Sequence, residues 1–201
     1  MKEHPILFSR DMVRAILEER KTQTRRAVKM PAGFTGQDIF DNGQFGLKYT
    51  SSLYGGTIQR LRPKWDVGDR LWVREKWAEI QGKVYFAADY EFGGAGDLIG
   101  VLGKWKPSIH MPRKISRLML EITAVRVERL NDISNADAVH EGIEPVFVDG
   151  FCLYGNYGKE EIGTALRPIE SFRTLWESIN GPDSWEQNPF VWVITFKRIN
   201  P

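Results

Sequence analysis

Three stretches of the chain predict helices, the first and third through the apolar spacing of an amphipathic helix and the second through its start and stop residues. The first spans about residues 10–19, and Ser9 directly before it is suited to cap its N-terminus. The second lies between Ser134 and Gly142, which are typical start and stop residues of a helix. The third begins at Pro168 and stops before a Gly-Pro pair. We therefore expect three helices that each pack one face on a common core.

Alternating apolar and polar positions predict β-strands elsewhere. Short strands are expected at residues 71–74 and 83–88, and the chain ends in a strand over 190–199. The longest candidate covers 116–130, and its apolar phase changes near Ala124, which predicts a β-bulge or sharp bend. Small barrels need such bends. The predicted fold class is therefore α+β, with a small mixed or antiparallel β-barrel and flanking helices.

Length and composition indicate one globular domain over 1–201, since the 201 residues are 42% hydrophobic and 27% charged. Residues 30–64 are rich in glycine and polar residues, and we expect a partly mobile insertion there. The single cysteine, Cys152, excludes an internal disulfide. The chain contains no apolar run of the roughly 18–20 residues that span a bilayer. With no signal-peptide pattern at the N-terminus, we expect a cytoplasmic protein without a membrane partner, and a monomer is preferred.

The charge distribution is more informative than the net charge of +2, which does not by itself indicate a nucleic-acid partner. Segment 10–29 has seven basic against three acidic residues, and segment 104–117 has five basic residues and no acid. Segment 131–190 has eleven acidic against three basic residues. If the two basic segments meet in space, they form an anion-attracting patch. The alternative is that both are solvated loops.

The densest polar cluster follows the first helix. A threonine hydroxyl such as that of Thr24 is a weak nucleophile until a base removes its proton, and Lys21 can be that base if its pKa falls. We expect the neighbouring cations to lower that pKa; they are Arg20, Arg25 and Arg26. Lys21 and Thr24 lie side by side only in a helical or tightly turned segment, or if the chain bends between them. The alternative is a solvated helix end whose cations suit the helix dipole.

Glu141 is the second candidate for chemistry. It lies in the last turn of the second predicted helix, where the negative end of the dipole tends to raise the pKa of a carboxyl group. Such a residue can act as a general acid or base near neutral pH, and the alternative is an exposed surface acid. The three histidines, His4, His110 and His140, have no metal-ligand spacing, and no glycine-rich phosphate loop occurs. We expect neither a metal nor another cofactor.

Aromatic residues are the third signal, because seven tryptophans are many for this length. Four of them lie on or beside basic or strand segments: Trp72, Trp77, Trp105 and Trp192. An aromatic ring near Arg25, Arg113 or Lys114 would suit a nucleobase, which stacks on such rings. Packing in the core is the alternative.

Residues 20–26, RKTQTRR, match the G-R-K-T-x-T-x-R signature of the ASCH family, with Glu19 in place of the usual glycine. The chain resembles that family, within the PUA-like superfamily, over most of its length. Further matching segments are VGDRL at 67–71, the 116–130 strand, the 137–142 helix and the last strand. Segments 71–75, 105–112 and 191–193 are similar to phage and prophage ASCH-type proteins. Outside the resemblance lie about 30–64 and 145–165, which look like insertions.

The resemblance implies both a fold and an activity. Small ASCH-domain amidohydrolases remove the acetyl group from acetylcytidine with a lysine and a threonine of the K-T-x-T motif and a glutamate beside a later helix. Carried over by position, these residues correspond to Lys21, Thr24 and Glu141. Other members of the superfamily bind or cleave RNA, so the fold alone does not decide the activity.

The leading hypothesis is a nucleoside- or RNA-directed hydrolase in which Lys21 is the general base and Thr24 attacks an amide carbonyl. Glu141 would protonate the leaving amine or activate water, and Arg25 or Arg26 would stabilise the oxyanion. A ribonuclease is one alternative, and a non-catalytic RNA- or modified-base-binding module is the other. The residues assigned to binding substrate or nucleic acid are Arg20, Arg25, Arg26, Trp72, Glu75, Lys106, His110, Arg113 and Lys114.

Overall fold

The computed structural model describes residues 1–31, 40–41, 47–51, 57–90, 101, 103–157 and 164–199. The main α-helices of these residues are α1 (Arg10–Leu17), α2 (Asn135–His140) and α3 (Pro168–Asn180). Their strands are β1 (Glu3–Leu7), β2 (Gln23–Ala27), β3 (Phe40–Asp41), β4 (Leu47–Ser51), β5 (Thr57–Leu61), β6 (Arg70–Arg74), β7 (Trp77–Ile80), β8 (Lys83–Phe86), β9 (Met119–Arg129), β10 (Pro145–Val148), β11 (Phe151–Gly155), β12 (Thr164–Ala165) and β13 (Phe190–Ile199).

A five-stranded mixed sheet forms the centre of the molecule, in the order β1-β6-β9-β13-β2. The outer strand β1 pairs with β6 in parallel, and the remaining pairs are antiparallel. The predicted bulge is confirmed, because the β9–β13 register shifts so that Thr195 faces Ala124 while Phe196 faces Ile122. The fold class α+β is therefore confirmed. The strands of the described residues do not close into a barrel, so the predicted small barrel is not confirmed.

The predicted helices are present and their caps explain their bounds. Ser9 accepts a hydrogen bond from the Met12 N–H at the start of α1, and Ser134 does the same for α2. Helix α3 begins at Pro168 and ends before Gly181, as the sequence indicates. The apolar faces of α1 and α3 pack with β6, β9 and β13 in one hydrophobic core.

The predicted insertions contain strands that the sequence did not indicate. Strands β3, β4 and β5 form an antiparallel sheet inside the stretch 30–64. The stretch 145–165 contains the antiparallel sheet β10-β11-β12. Residues 32–39, 42–46, 52–56 and 158–163 of these two predicted insertions lie outside the described residues.

One edge of the central sheet, formed by β2, borders the candidate site. Strand β2 pairs only with β13 among the described strands, so its other side is an open sheet edge. The start of α1 and the apolar side of α3 both approach this edge.

Within the described residues, no helix has the length and apolar character needed to cross a lipid bilayer.

Candidate active site

The motif of residues 20–26 crosses from the end of α1 into β2. The N–H of Lys21 still donates to the Ala15 carbonyl of α1, whereas Thr24 lies within the strand. Between them, the Thr22 N–H points away from the sheet and donates to the His140 carbonyl at the end of α2. The chain therefore bends between Lys21 and Thr24, which is one of the arrangements that lets both serve one site.

Lys21 and Glu141 form a buried ion pair at the floor of the site. The Lys21 Nζ donates to the Glu141 Oε2 at 2.8 Å and to the Glu141 main-chain oxygen at 2.6 Å. The side chains of Lys21 and Glu141 are only 2% and 4% exposed. Since an ammonium group has three N–H donors, one remains for another partner.

The pKa of the Lys21 amine lies below its ordinary value, as the sequence predicts, but mainly for another reason. Burial is the largest cause, because it removes the ammonium form from water. The carboxylate of Glu141 opposes this lowering, while Arg26 and Arg25 add to it. The expected contribution of neighbouring cations is thus present but secondary to burial.

Gly142, just after α2, allows the end of α2 to lie against the end of α1. Its φ of 93° lies in the left-handed region, and a Cβ at this position would lie 2.9 Å from the Ala15 Cβ and 3.1 Å from the Lys21 Cβ. Only glycine fits both the conformation and the space. The stop signal for α2 therefore also brings Glu141 against the end of α1.

Arg25 anchors Glu141 from the other side. Its Nη1 donates to the Glu141 Oε1 at 3.1 Å, and its Nε and Nη2 donate to the Glu128 Oε1 at 3.1 and 2.6 Å. Nη1 also contacts Gln23, and Nη2 lies 3.4 Å from the Asp137 Oδ2. The guanidinium is 0% exposed and its donors are occupied. Arg25 therefore positions the carboxylate of Glu141, and its guanidinium is not free to bind substrate.

A single cavity of about 390 Å³ brings the predicted catalytic residues together. Lys21, Thr24 and Glu141 all line it. Thr24 is buried apart from 4% of its surface, and it lines the cavity. No described residue forms a hydrogen bond with its hydroxyl oxygen, which retains some accessible surface. The remaining walls are largely apolar and come from the end of β1, the start of α1 and one side of α3: Leu7, Phe8, Met12, Phe172, Leu175, Trp176 and Ile179.

The other cations of the motif lie in different settings. Arg26 lines the cavity, lies 5.5 Å from the centre of the Phe8 ring and donates to the Leu7 carbonyl oxygen. Arg20 does not line the cavity; it pairs with Glu18 at 2.6 Å. Of the predicted binding residues, the structure thus brings only Arg25 and Arg26 to the cavity.

Trp72 and Glu75 lie away from the cavity. Glu75 is buried in a two-point ion pair with Arg117, at 3.0 Å for each contact, and Arg117 also reaches Asp89. Trp72 lies under the guanidinium of Arg74. Burial raises the pKa of Glu75, although Arg117 opposes the rise. Glu75 therefore anchors the segment around Arg117, and both of its carboxylate oxygens are occupied by that ion pair.

Ser108 of the basic segment 104–117 lines the same cavity as Arg25 and Arg26 of the first basic segment. Acids neutralise much of the expected patch, because Lys106 lies 3.8 Å from Glu79 and Arg113 lies 2.9 Å from Glu3. His110 and Lys114 are exposed and do not line the cavity. The two basic segments therefore approach each other, but ion pairs reduce the positive potential that the sequence predicts.

Several residues of the site escaped the sequence analysis. Glu128 and Asp137 carry no motif, and only the strand register and the position of α2 bring them to Arg25. Phe172 and Trp176 were predicted simply as the apolar face of α3. That apolar face was the available signal, because the same face lines the cavity.

Among the described residues, no group of three or more His, Cys, Asp or Glu side chains is arranged to hold a metal ion.

Comparisons with known proteins add no functional assignment to this site. No protein-family model matches the sequence, and neither a curated protein nor a solved structure matches it.

Proposed function

We propose that this chain is a metal-independent amidohydrolase that cleaves the acyl amide of an acylated, cytidine-like nucleoside. One observation carries the proposal: Lys21 and Thr24 line one cavity together with Glu141, which lies 120 positions after Lys21 in the sequence. Its volume of about 390 Å³ lies within the range of small-molecule sites, roughly 300–1,000 Å³. Its aromatic walls suit a planar base.

The residues support a two-step acyl transfer. The neutral Lys21 amine takes the proton of the Thr24 hydroxyl, whose oxygen forms a bond to the acyl carbon of the substrate. The resulting tetrahedral intermediate expels the amino group of the base, which receives a proton from the Lys21 ammonium. Water then attacks the threonine ester and releases the carboxylic acid and the free hydroxyl.

In the proposed reaction, Glu141 holds the Lys21 amine in position. Its two carboxylate oxygens contact Lys21 and Arg25, so the amine is fixed and its proton has a neighbouring acceptor. The lowered pKa of Lys21 favours the neutral amine that the first step requires. Arg26 supplies positive charge at the cavity wall for the anionic intermediate.

Membership of the ASCH family, with a PUA-like fold, is part of the same proposal. The resemblance of residues 20–26 is supported by the shared cavity of Lys21, Thr24 and Glu141. A phage or prophage origin rests on the resemblance alone.

The test is release of free acid and cytidine from acetylcytidine and related acylated nucleosides by the purified protein. We expect turnover by the unaltered chain and a loss on the order of 10³-fold or more in kcat for Thr24→Ala. Thr22→Ala is the matched control, because Thr22 lies outside the cavity lining. Absence of turnover for every acylated nucleoside, or full activity in Thr24→Ala, would refute the proposal.

RNA binding remains the rival interpretation, and the ion pairs of Lys106, Arg113 and Arg117 weigh against it. If the chain is an RNA-binding module, its Kd for RNA should lie well below the roughly 10⁻⁴–10⁻⁶ M of non-specific binding at physiological salt. It also predicts that Thr24→Ala has little effect. Tight RNA binding together with inert acylated nucleosides would favour the rival.

A further inference from the structure

The open edge of β2 presents main-chain groups to the cavity. The Phe196 N–H donates to the Thr22 carbonyl, and the Val28 N–H donates to the Phe190 carbonyl. Hydrogen bonds in an antiparallel pair alternate along the strand. Thr24 and Arg26 therefore direct their main-chain groups towards β13, whereas Arg25 directs its own towards the unpaired edge.

The exposure of Arg25 agrees with this alternation. The whole residue is 5% exposed, yet its side chain is 0% exposed, so all of its accessible surface belongs to the main chain. Arg25 also lines the cavity. Among the described residues, no hydrogen-bond acceptor is found for the Arg25 N–H. Within the described part of the chain, this N–H is thus a donor without an acceptor, on a residue that lines the cavity.

The side chain of Arg25 cannot donate a hydrogen bond to a ligand in the cavity, because its donors are occupied by Gln23, Glu128, Asp137 and Glu141. We propose that the main-chain N–H of Arg25 binds the carbonyl oxygen of the acyl group and holds the oxyanion that forms when Thr24 attacks. This inference rests on the proposed function. It assigns the oxyanion donor to the residue that follows the nucleophile, an arrangement that other acyl-transfer enzymes use.

The geometry places donor and nucleophile close together by covalent structure alone. The Thr24 hydroxyl oxygen and the Arg25 nitrogen are separated by only the few bonds of one residue. As the Thr24 oxygen bonds to the acyl carbon, the carbonyl electron pair moves to its oxygen, which accepts the hydrogen bond from the Arg25 N–H. When the amine leaves, that electron pair re-forms the carbonyl, so the donor gains no proton and loses none.

The test replaces one main-chain N–H with oxygen in the full-length chain. A synthetic segment 1–26 with an ester bond before Arg25 is ligated to segment 27–201, and the ligation cysteine is converted to Ala27. The same step converts the exposed Cys152 to alanine in every chain compared. We expect the Arg25 ester to lower kcat about 10²-fold, the lower end for loss of one oxyanion donor, with a small change in KM.

An ester before Thr22 is the matched control. The Thr22 N–H donates to the His140 carbonyl and Thr22 does not line the cavity, so this ester removes a structural hydrogen bond and leaves the cavity donor in place. We expect the Thr22 ester to lower the melting temperature more than the Arg25 ester while retaining kcat. Equal kcat in the Arg25 ester and the all-amide chain would overturn the inference.

A binding experiment separates this inference from the proposed function. The Arg25 amide carries ¹⁵N, and the chain is titrated with a phosphonylated cytidine whose anionic oxygens mimic the tetrahedral intermediate. A downfield shift of the Arg25 amide proton supports the inference, even if acetylcytidine is not turned over and the proposed function fails. Turnover with no such shift overturns the inference alone. Absence of both binding and turnover overturns both.

Discussion

Replacement of Arg25 by methionine tests whether one buried cation holds the acids of the site. The guanidinium contacts Glu128, Asp137 and Glu141, and methionine retains much of its length without charge or donors. Because Arg25 is fully buried, water cannot replace it at these carboxylates without rearrangement. Arg25→Met therefore leaves carboxylates with unpaired charge in a poorly hydrated region.

The expected cost follows from this burial. Removal of one partner from a buried ion pair typically costs about 3–5 kcal/mol. That is a large part of the roughly 5–15 kcal/mol that stabilises a typical domain, yet the variant should still fold. Urea unfolding measures the difference, and we expect the midpoint to fall by about 1 M or more at pH 7.

The pH dependence provides the sharper assay. Partial burial of Asp137 raises its pKa, but Arg25 outweighs this with help from Gln23, Arg126 and Ser134, so the pKa lies below its usual value. A depressed carboxyl pKa adds stability above about pH 3.9, and this contribution is lost as the pH falls through the folded-state value. The gap between wild type and Arg25→Met should therefore be wide at pH 7 and narrow below about pH 4.

Arg126→Met is the matched control, because Arg126 contacts the same Glu128 and Asp137 but is 40% exposed. Exposed pairs typically contribute only about 0–1 kcal/mol. We expect Arg126→Met to lower the unfolding free energy by no more than that. If Arg25→Met costs as little as Arg126→Met, or if its cost does not depend on pH, the argument from buried charge is wrong.

Two further predictions concern the neighbourhood of Lys21. Gly142→Ala should destabilise the fold by more than the ~1–2 kcal/mol of a left-handed backbone, because the new Cβ would also collide with Ala15. Gly150→Ala, with a similar φ of 82° and open space around it, isolates the backbone cost in the same urea titration, and equal losses would contradict the collision. Because burial lowers the pKa of Lys21, kcat should rise with pH to a midpoint below the ordinary ~10.4 of a lysine. Lys21→Arg, which stays protonated, should be inactive at every pH, and an active variant would show that Lys21 is not the base that serves Thr24.

The helices and the long strands could be predicted from the sequence because each shows its own periodicity. Ser9 and Pro168 mark helix starts through local chemistry, and the phase change near Ala124 marks the bulge. Strand β2 could not be predicted in this way, since its sequence QTRRA is polar. Its polar residues are buried because acids from β9 and from the end of α2 neutralise Arg25. No local pattern contains that information.

The candidate site was predictable only through its motif. Lys21 and Thr24 are recognisable in the 20–26 segment, and Glu141 is recognisable as the end of a short helix. Their meeting depends on contacts between residues more than a hundred positions apart, as the Lys21–Glu141 hydrogen bonds are. The ion pair of Glu75 could not be predicted for the same reason, because its partner Arg117 lies on a distant segment.

The position of β2 at the margin of the sheet also bears on self-association. An unpaired strand is a template for a strand of another molecule. Here the start of α1 and the side of α3 flank the open edge, and the cationic Arg26 lies on it. These elements obstruct intermolecular strand pairing while leaving room for a small molecule. Helix α3 is thus both a wall of the cavity and a barrier to the pairing of β2 with a strand of another molecule.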